Sequence, residues 1–142
     1  MATARRGFAR EIASLGAIFE FLEEFSDGHE IDERTTLCIN LVIEELFTNM
    51  VRHNLGGSDE IVICMERVDE QLRFELIDTE VEDFDLDTVD EVPVTAGIDD
   101  RRPGGLGIHL VRSLVDDLQY DYQTDDRRMR ISVIKELETR DV

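Results

Sequence analysis

The stretch that most constrains the fold is LVIEELFTNMVRHN, residues 41–54. Projected at about 100° per residue, it predicts a helix that is apolar over most of its circumference. Three polar side chains, Glu45, Asn49 and His53, share one strip at the border of the apolar face, because they recur every fourth residue. Glu44 points about 100° away from Glu45, and we expect it to be solvated. The apolar face consists of Ile39, Val42, Ile43, Leu46, Phe47 and Met50.

The polar strip has a chemical and a structural explanation. A neutral amide oxygen such as that of Asn49 can bind Mg²⁺, a hard ion that is also coordinated by water and by the phosphate oxygens of a nucleotide. A carboxylate one turn away, on Glu45, can accept a proton from a hydroxyl group that attacks a γ-phosphate. Alternatively, Asn49 bonds the neighbouring backbone and His53 caps the helix end. Glu45 could instead pair with Arg52 or another arginine.

The remaining sequence predicts a single domain over residues 1–142. Helical and strand-like periods alternate along it, with turn residues between them. The pattern indicates a two-layer α/β (α+β) sandwich, in which three helices cover one face of a mostly antiparallel sheet. The predicted elements are helices over about 7–26, 32–54 and 104–118, one β-hairpin over 60–68 and 71–78, a long loop over 79–103, and a second hairpin over 119–124 and 129–137.

The charge balance restricts the classes of partner. There are 15 basic and 34 acidic residues, which give a net charge of −19. This balance argues against nucleic-acid binding and against docking on an anionic membrane, since both need Lys and Arg. No apolar run is long enough to span a bilayer and no secretory signal is present, so we expect a cytoplasmic protein. Cys38 and Cys64 lie in apolar runs, and we expect both to be reduced core residues.

A second informative stretch is PGGLGIHLV, residues 103–111. Its glycines stand at the start of a predicted helix, where backbone N–H groups can approach a phosphate and the helix dipole favours an anion. A plain flexible loop before a helix is the alternative. Arg101 and Arg102, just upstream, could reach a phosphate, but a solvated position is favoured. The glycines are Gly104, Gly105 and Gly107.

A third candidate is Asp78, which ends the predicted strand QLRFELID. A buried carboxylate at this place could accept a hydrogen bond from the amino group of adenine. The alternative is an acidic strand end that simply leads into the acidic loop.

Together these motifs resemble the GHKL ATPase superfamily. The pattern E-x3-N-x3-H on a helix, the strand-ending aspartate and the GGLG helix start are most similar to the anti-sigma-factor serine/threonine kinases of the RsbW and SpoIIAB type. The resemblance extends from about Phe8 to Leu137 and implies a Bergerat-type sandwich that holds ATP under a lid. It further implies that Glu45 is the catalytic base, Asn49 the Mg²⁺ ligand and Asp78 the adenine-binding residue. The other implied nucleotide-binding residues are His53, Gly104, Gly105, Leu106 and Gly107.

The resemblance implies a kinase that uses Mg-ATP to phosphorylate a STAS-domain anti-anti-sigma protein in a bacterial partner-switching pathway. A sigma factor or another output protein would be a second partner, and a homodimer is also an expectation. One position departs from the family pattern, because Glu80 stands where a glycine is usual. A glutamate obstructs close backbone approach and adds negative charge near a polyanion. The alternative function is therefore a catalytically degenerate binding module that regulates a partner by stoichiometric association.

Overall fold

The computed structural model describes residues 2–53, 59–79 and 107–137. These ranges contain five strands, three α-helices and one 3₁₀ turn, Ile12–Ser14. The order of elements is β1 (Ala2–Ala9), α1 (Leu15–Gly28), α2 (Glu33–His53), β2 (Glu60–Val68), β3 (Gln71–Asp78), α3 (Gly107–Leu114), β4 (Asp117–Gln123) and β5 (Arg128–Glu136).

The five strands form one antiparallel sheet in the order β1-β2-β3-β5-β4. β3 is the central strand and pairs with β2 on one side and with β5 on the other. Since β1 and β3 each run antiparallel to β2, they are parallel to each other and end at the same edge of the sheet. We call this the Asp78 edge; it also contains Ala9 and Glu60, which pair with each other. The opposite edge, where β2 ends and β3 begins, is called the Arg67 edge.

The core lies between one face of the sheet and the helices, as the sequence predicts. Alternate residues of β2 and β3, such as Ile63 and Phe74, are buried in the same cluster as the apolar face of α2. All six side chains of that predicted face are buried, which confirms both the helix and its orientation. The two-layer fold and the predicted first hairpin are also confirmed.

The N-terminal strand is a correction to the predicted first helix over 7–26. Residues 2–9 form β1, and α1 begins only at Leu15. The spacing of Phe8 to later apolar residues fits a helical period and therefore favours a helix. Phe8 is instead the buried residue of an edge strand whose other side chains are small or charged, and such a strand gives little alternating signal. The third predicted helix is also too long, because α3 ends at Leu114 and Asp116 N already donates to Ile134 O (2.9 Å).

The prediction for the two cysteines is confirmed in part. Cys38 and Cys64 are both free, as expected, but each is half-buried rather than part of the core. Burial raises the pKa of both thiols above the ordinary value.

The loop predicted over 79–103 lies outside the described residues apart from Thr79.

Polar groups at the Arg67 edge are used for helix ends. Asp32 caps α2, because its Oδ1 accepts a hydrogen bond from Thr35 N (2.7 Å). Arg67 lies at the end of β2 and donates to the carbonyls that follow α1, those of His29 (2.5 Å) and Glu30 (3.2 Å). A cation at this position stabilises the carbonyl end of a helix.

Candidate functional site

Two members of the predicted polar strip, Glu45 and Asn49, lie on α2 at the border of its apolar face. Glu44 is exposed and Glu45 is half-buried. Asn49, one turn further on, is only 1% exposed. A buried amide is costly unless it makes polar contacts, so Asn49 departs from the apolar pattern of the residues around it. His53 is the last residue of α2, and its side chain lies outside the described part of the structure.

Asp78 ends the central strand and is completely buried, with 0% of its side chain exposed. Its Oδ1 accepts a hydrogen bond from the backbone N–H of Thr79 (3.0 Å). The same oxygen forms an ion pair with the guanidinium group of Arg10. The predicted buried carboxylate at the strand end is therefore present, and it has a cationic partner, Arg10, that the sequence motifs do not indicate.

Arg10 follows β1 directly and connects three parts of the Asp78 edge. Its backbone N–H donates to Asp59 O (2.9 Å), next to the start of β2. Its Nη2 contacts Asp78 and its Nη1 donates to Met50 O (3.4 Å) in α2. Met50 neighbours Asn49 in the chain, so Arg10 joins the strand-end carboxylate to the part of α2 that holds the buried amide.

A tight corner after β1 fixes the path of the chain around Arg10. The carbonyl of Ala9 accepts hydrogen bonds from Glu11 N (2.8 Å) and from the Ser14 hydroxyl (2.7 Å). Ser14 N in turn donates to Glu11 O (3.0 Å). Because these bonds turn the backbone from the sheet into the 3₁₀ turn, the Arg10 side chain is directed along the edge towards Asp78.

The sequence contained only an indirect signal for Arg10. A completely buried carboxylate requires a paired cation or several hydrogen-bond donors, so a buried Asp78 predicts such a partner without identifying it. Identifying that partner requires knowing that β1 is a strand, since only then do residues 10 and 78 follow parallel strands at one edge. A sequence pattern that does not predict β1 as a strand therefore cannot predict the pairing of Arg10 with Asp78.

The predicted glycine residues are placed only in part. Gly107 begins α3, and α3 packs against α2. The thiol of Cys38, near the beginning of α2, lies 3.7 Å from the carbonyl of Leu114 at the end of α3. The start of α3 is therefore directed away from the beginning of α2. Gly104, Gly105 and Leu106, together with Glu80, lie outside the described residues.

Residues 2–53, 59–79 and 107–137 contain no group of three or more His, Cys, Asp or Glu side chains that could hold a metal ion. Within the same ranges, no helix is long and apolar enough to cross a membrane.

Comparisons with known proteins agree with the geometry. Residues 8–135 match the family described as histidine kinase-like ATPase domain. No curated protein matches the chain. A solved structure with a similar fold is that of the RsbU and RsbW domains of Rv1364c from Mycobacterium tuberculosis, with a TM-score of 0.71 and 15% sequence identity. The similarity covers 99% of this chain but 34% of that one, so the chain spans about a third of the length of its relative.

The family match covers nearly all of the sequence and includes α2, Asp78 and the start of α3. It confirms the family that the three motifs predict, while the low-identity structural match independently supports the fold. The chain belongs to the histidine kinase-like ATPase domain family.

Proposed function

We propose that the protein is a serine/threonine protein kinase of the anti-sigma-factor type, which uses Mg-ATP to phosphorylate a STAS-domain anti-anti-sigma partner. The observation that carries the proposal is the pairing of a half-buried carboxylate, Glu45, with a buried amide, Asn49, one turn apart on α2. Membership of an ATPase domain family and a fold similar to RsbW domains support it. The net charge of −19 favours a partner that presents a basic surface.

Glu45 would act as the general base. A serine or threonine hydroxyl of the partner attacks the γ-phosphorus of ATP, and a new Oγ–P bond forms. The bond from the γ-phosphorus to the bridging oxygen breaks, and ADP leaves. The hydroxyl proton passes to the Glu45 carboxylate, which also orients the nucleophile. Glu44 is exposed on a different side of α2 and takes no part.

Asn49 fits the role of a magnesium ligand. Mg²⁺ prefers hard oxygen donors and is commonly held by one or two protein groups together with substrate phosphates and water. The Asn49 amide supplies one such oxygen, and its burial limits its freedom to rotate. When bound, Mg²⁺ neutralises charge on the β- and γ-phosphates.

The remaining site residues would bind the nucleotide. Asp78 would accept a hydrogen bond from the adenine amino group at the end of β3. Gly107, with the preceding Gly104, Gly105 and Leu106, would approach the phosphates at the start of α3, and His53 would close the strip at the end of α2. A single chain, a homodimer or a complex with a sigma factor is compatible with this arrangement.

The second candidate function is a catalytically degenerate module that regulates its partner by binding alone. Glu80, where the family usually has a glycine, favours this candidate, because its charge opposes a polyanionic nucleotide. The retention of both Glu45 and Asn49 favours the kinase, since a module that only binds a partner has no need for a carboxylate beside a metal-binding amide.

Calorimetry and a phosphotransfer assay separate the two candidates. We expect the protein to bind ATP, more tightly with Mg²⁺ than without it, and to phosphorylate its cognate STAS protein. Glu45→Ala should reduce phosphotransfer by at least about 10²-fold, the usual contribution of a general base, while ATP binding is retained. Glu44→Ala is the matched control and should be fully active. Failure of the wild-type protein to bind millimolar ATP would exclude the kinase, and normal phosphotransfer by Glu45→Ala would exclude that base.

A further inference from the structure

Two segments of the chain hold the Asp78 carboxylate. Its Oδ1 atom accepts a hydrogen bond from the backbone N–H of Thr79 (3.0 Å) and forms the ion pair with the Arg10 guanidinium. Thr79 follows β3, whereas Arg10 follows β1. Because hydrogen bonds are directional and charge-assisted ones are strong, donors from two segments restrict rotation of the carboxylate about its Cβ–Cγ bond.

Both oxygens of Asp78 belong to one planar group, so the orientation of Oδ1 also sets that of Oδ2. A hydrogen bond weakens steeply with misalignment, so a donor on a ligand gains most from an acceptor whose direction is fixed before binding. The ion pair with Arg10 and a contact from a nucleotide base can exist together on this carboxylate. The ion pair would then favour the base contact by orienting its acceptor.

The guanidinium group of Arg10 also contacts α2. Its Nη1 donates to Met50 O (3.4 Å). Met50 is one of the last four residues of α2, whose carbonyls need partners from outside the regular helix, and the helix dipole favours a cation at this end. Met50 follows Asn49 directly. One guanidinium group therefore contacts both the end of β3 and the turn of α2 that contains the proposed magnesium ligand.

The backbone of Arg10 is itself fixed at this edge. Its N–H donates to Asp59 O (2.9 Å), and the carbonyl of the preceding residue, Ala9, accepts from the Ser14 hydroxyl (2.7 Å). The Arg10 side chain is only 12% exposed. Ordering a long side chain costs conformational entropy, and here that cost arises when the protein folds and not when a ligand binds.

We propose that Arg10 is a positioning residue, which orients the Asp78 carboxylate for the amino group of the nucleotide base and fixes it relative to Asn49 on α2. Arg10 acts through Asp78, and the ion pair persists when the nucleotide is bound. This inference rests on the proposed function, because it assigns a supporting residue to the same nucleotide site.

The test compares two nucleotides by calorimetric titration of the full chain in the presence of Mg²⁺. Purine riboside triphosphate differs from ATP only in lacking the amino group, so the ratio of the two affinities isolates the contact with Asp78. The wild-type ratio should be roughly thirtyfold in favour of ATP, the scale of one hydrogen bond to a charged group. Arg10→Met should lower this ratio by about fivefold, the scale of ordering one side chain on binding.

Two further variants control for charge and for stability. Arg10→Lys retains a cation that can donate to Asp78 and should keep the ratio within about twofold of wild type. Arg5→Met is the matched control, because Arg5 is an exposed arginine of β1 and its loss changes the net charge equally. A variant that is partly unfolded binds both nucleotides more weakly by the same factor, so lost stability alone leaves the ratio unchanged.

A measurement on the wild-type protein covers the case in which Arg10→Met does not fold. The NMR signal of the Arg10 Nε–H, assigned by its loss in Arg10→Lys, should be protected from exchange with water both in the free protein and at saturating ATP. Rapid exchange in either state would show that the guanidinium group is not held there, and it overturns the inference.

The outcomes separate the two proposals. A ratio that falls in Arg10→Met but not in Arg10→Lys or Arg5→Met supports positioning. An unchanged or higher ratio in Arg10→Met, or an equal fall in Arg5→Met, overturns the inference and leaves the nucleotide site standing. A wild-type ratio near one does the same. No ATP binding by the wild-type protein overturns the nucleotide site and the positioning role together.

Discussion

Arg10 and Arg67 stand at opposite edges of the same sheet, and each links a strand end to a helix. Their carboxylate partners differ in burial. Arg67 donates to the backbone carbonyls of His29, Glu30 and Asp69, and its ion pair with the exposed Glu70 is long, at 3.6 Å. Arg10 pairs with the carboxylate of Asp78, which is completely buried. Every sequence with this fold has backbone carbonyls at the ends of its helices. A buried carboxylate depends on the side chain at that position, and its burial costs desolvation free energy.

Under the proposed function, the difference separates a structural edge from a functional one. At the Arg67 edge, polar side chains satisfy groups that the fold itself leaves unpaired at the ends of helices. At the Asp78 edge, polar side chains are buried where apolar ones would fold at least as well. The proposed nucleotide site gives these buried polar groups a role, since ligand pockets contain a few precisely placed polar groups.

Asp78→Ala should produce the largest effect on folding. It leaves the Arg10 guanidinium nearly buried without its carboxylate, and loss of one member of a buried pair costs about 3 kcal/mol in the free energy of unfolding. Urea denaturation measures the change. Replacing both members, in Arg10→Met with Asp78→Leu, should recover most of the loss. A stable Asp78→Ala variant would show that the pair is not a buried ion pair in solution.

Arg67→Met should cost about 1–2 kcal/mol, because it removes charge-assisted bonds to the carbonyls that follow α1. Arg73→Met is the control; the Arg73 side chain is exposed and bonds the side chain of Gln71, so its loss should fall within about 0.5 kcal/mol. Both variants should bind ATP as the wild-type protein does. A change in ATP affinity for Arg67→Met would mean that the two edges are coupled.

Asp32→Ala removes the cap of α2 and should reduce stability by about 1 kcal/mol. Asp32→Asn keeps a side-chain oxygen for Thr35 N and should be nearly neutral, since Asn and Asp cap equally well. Thermal unfolding of the two variants measures the difference. Equal destabilisation by both would assign the effect to charge at the helix start and not to the capping bond.

Cys64 should show the smallest effect. It lies in the middle of β2, paired with Arg5 and Glu75, and burial raises the pKa of its thiol. The folded protein holds the thiol proton to higher pH than the unfolded chain does, so stability falls slightly as pH rises above the ordinary thiol pKa. In a Cys38→Ser background, iodoacetamide should react more slowly at pH 8 with folded than with unfolded protein. Equal rates would show that the middle of the sheet is open.

The parts of the fold that the sequence predicts are those with long, regular periods. The apolar face of α2, the Asp32 cap and the first hairpin follow from periods of 3.6 and 2 together with capping and turn residues. The sequence pattern predicts a helix that extends to Leu118, because this residue continues the helical period, but Leu118 lies in β4. Tertiary pairing with β5 decides that boundary, and no local pattern contains it.

The residues of the candidate site likewise differ in how far the sequence predicts them. Glu45 and Asn49 are found from one helix, since their spacing alone puts them on one strip. The pairing of Arg10 with Asp78 joins residues 68 positions apart and depends on the order of three strands. Arg10 also follows an edge strand with a weak pattern, so nothing near it in the sequence distinguishes it from the other arginines.

The position of β3 in the sheet has a consequence for how the protein folds. Asp78 pairs with Met129 of β5, and Arg10 approaches it from β1, so this edge combines segments from both ends and the middle of the described chain. Closing such long loops costs entropy before the contacts form, and distant pairings slow folding. During synthesis from the N-terminus, α1 and α2 can form early, whereas the Asp78 edge is completed only when β5 has left the ribosome. The protein could then bind nucleotide only after the whole sheet has assembled.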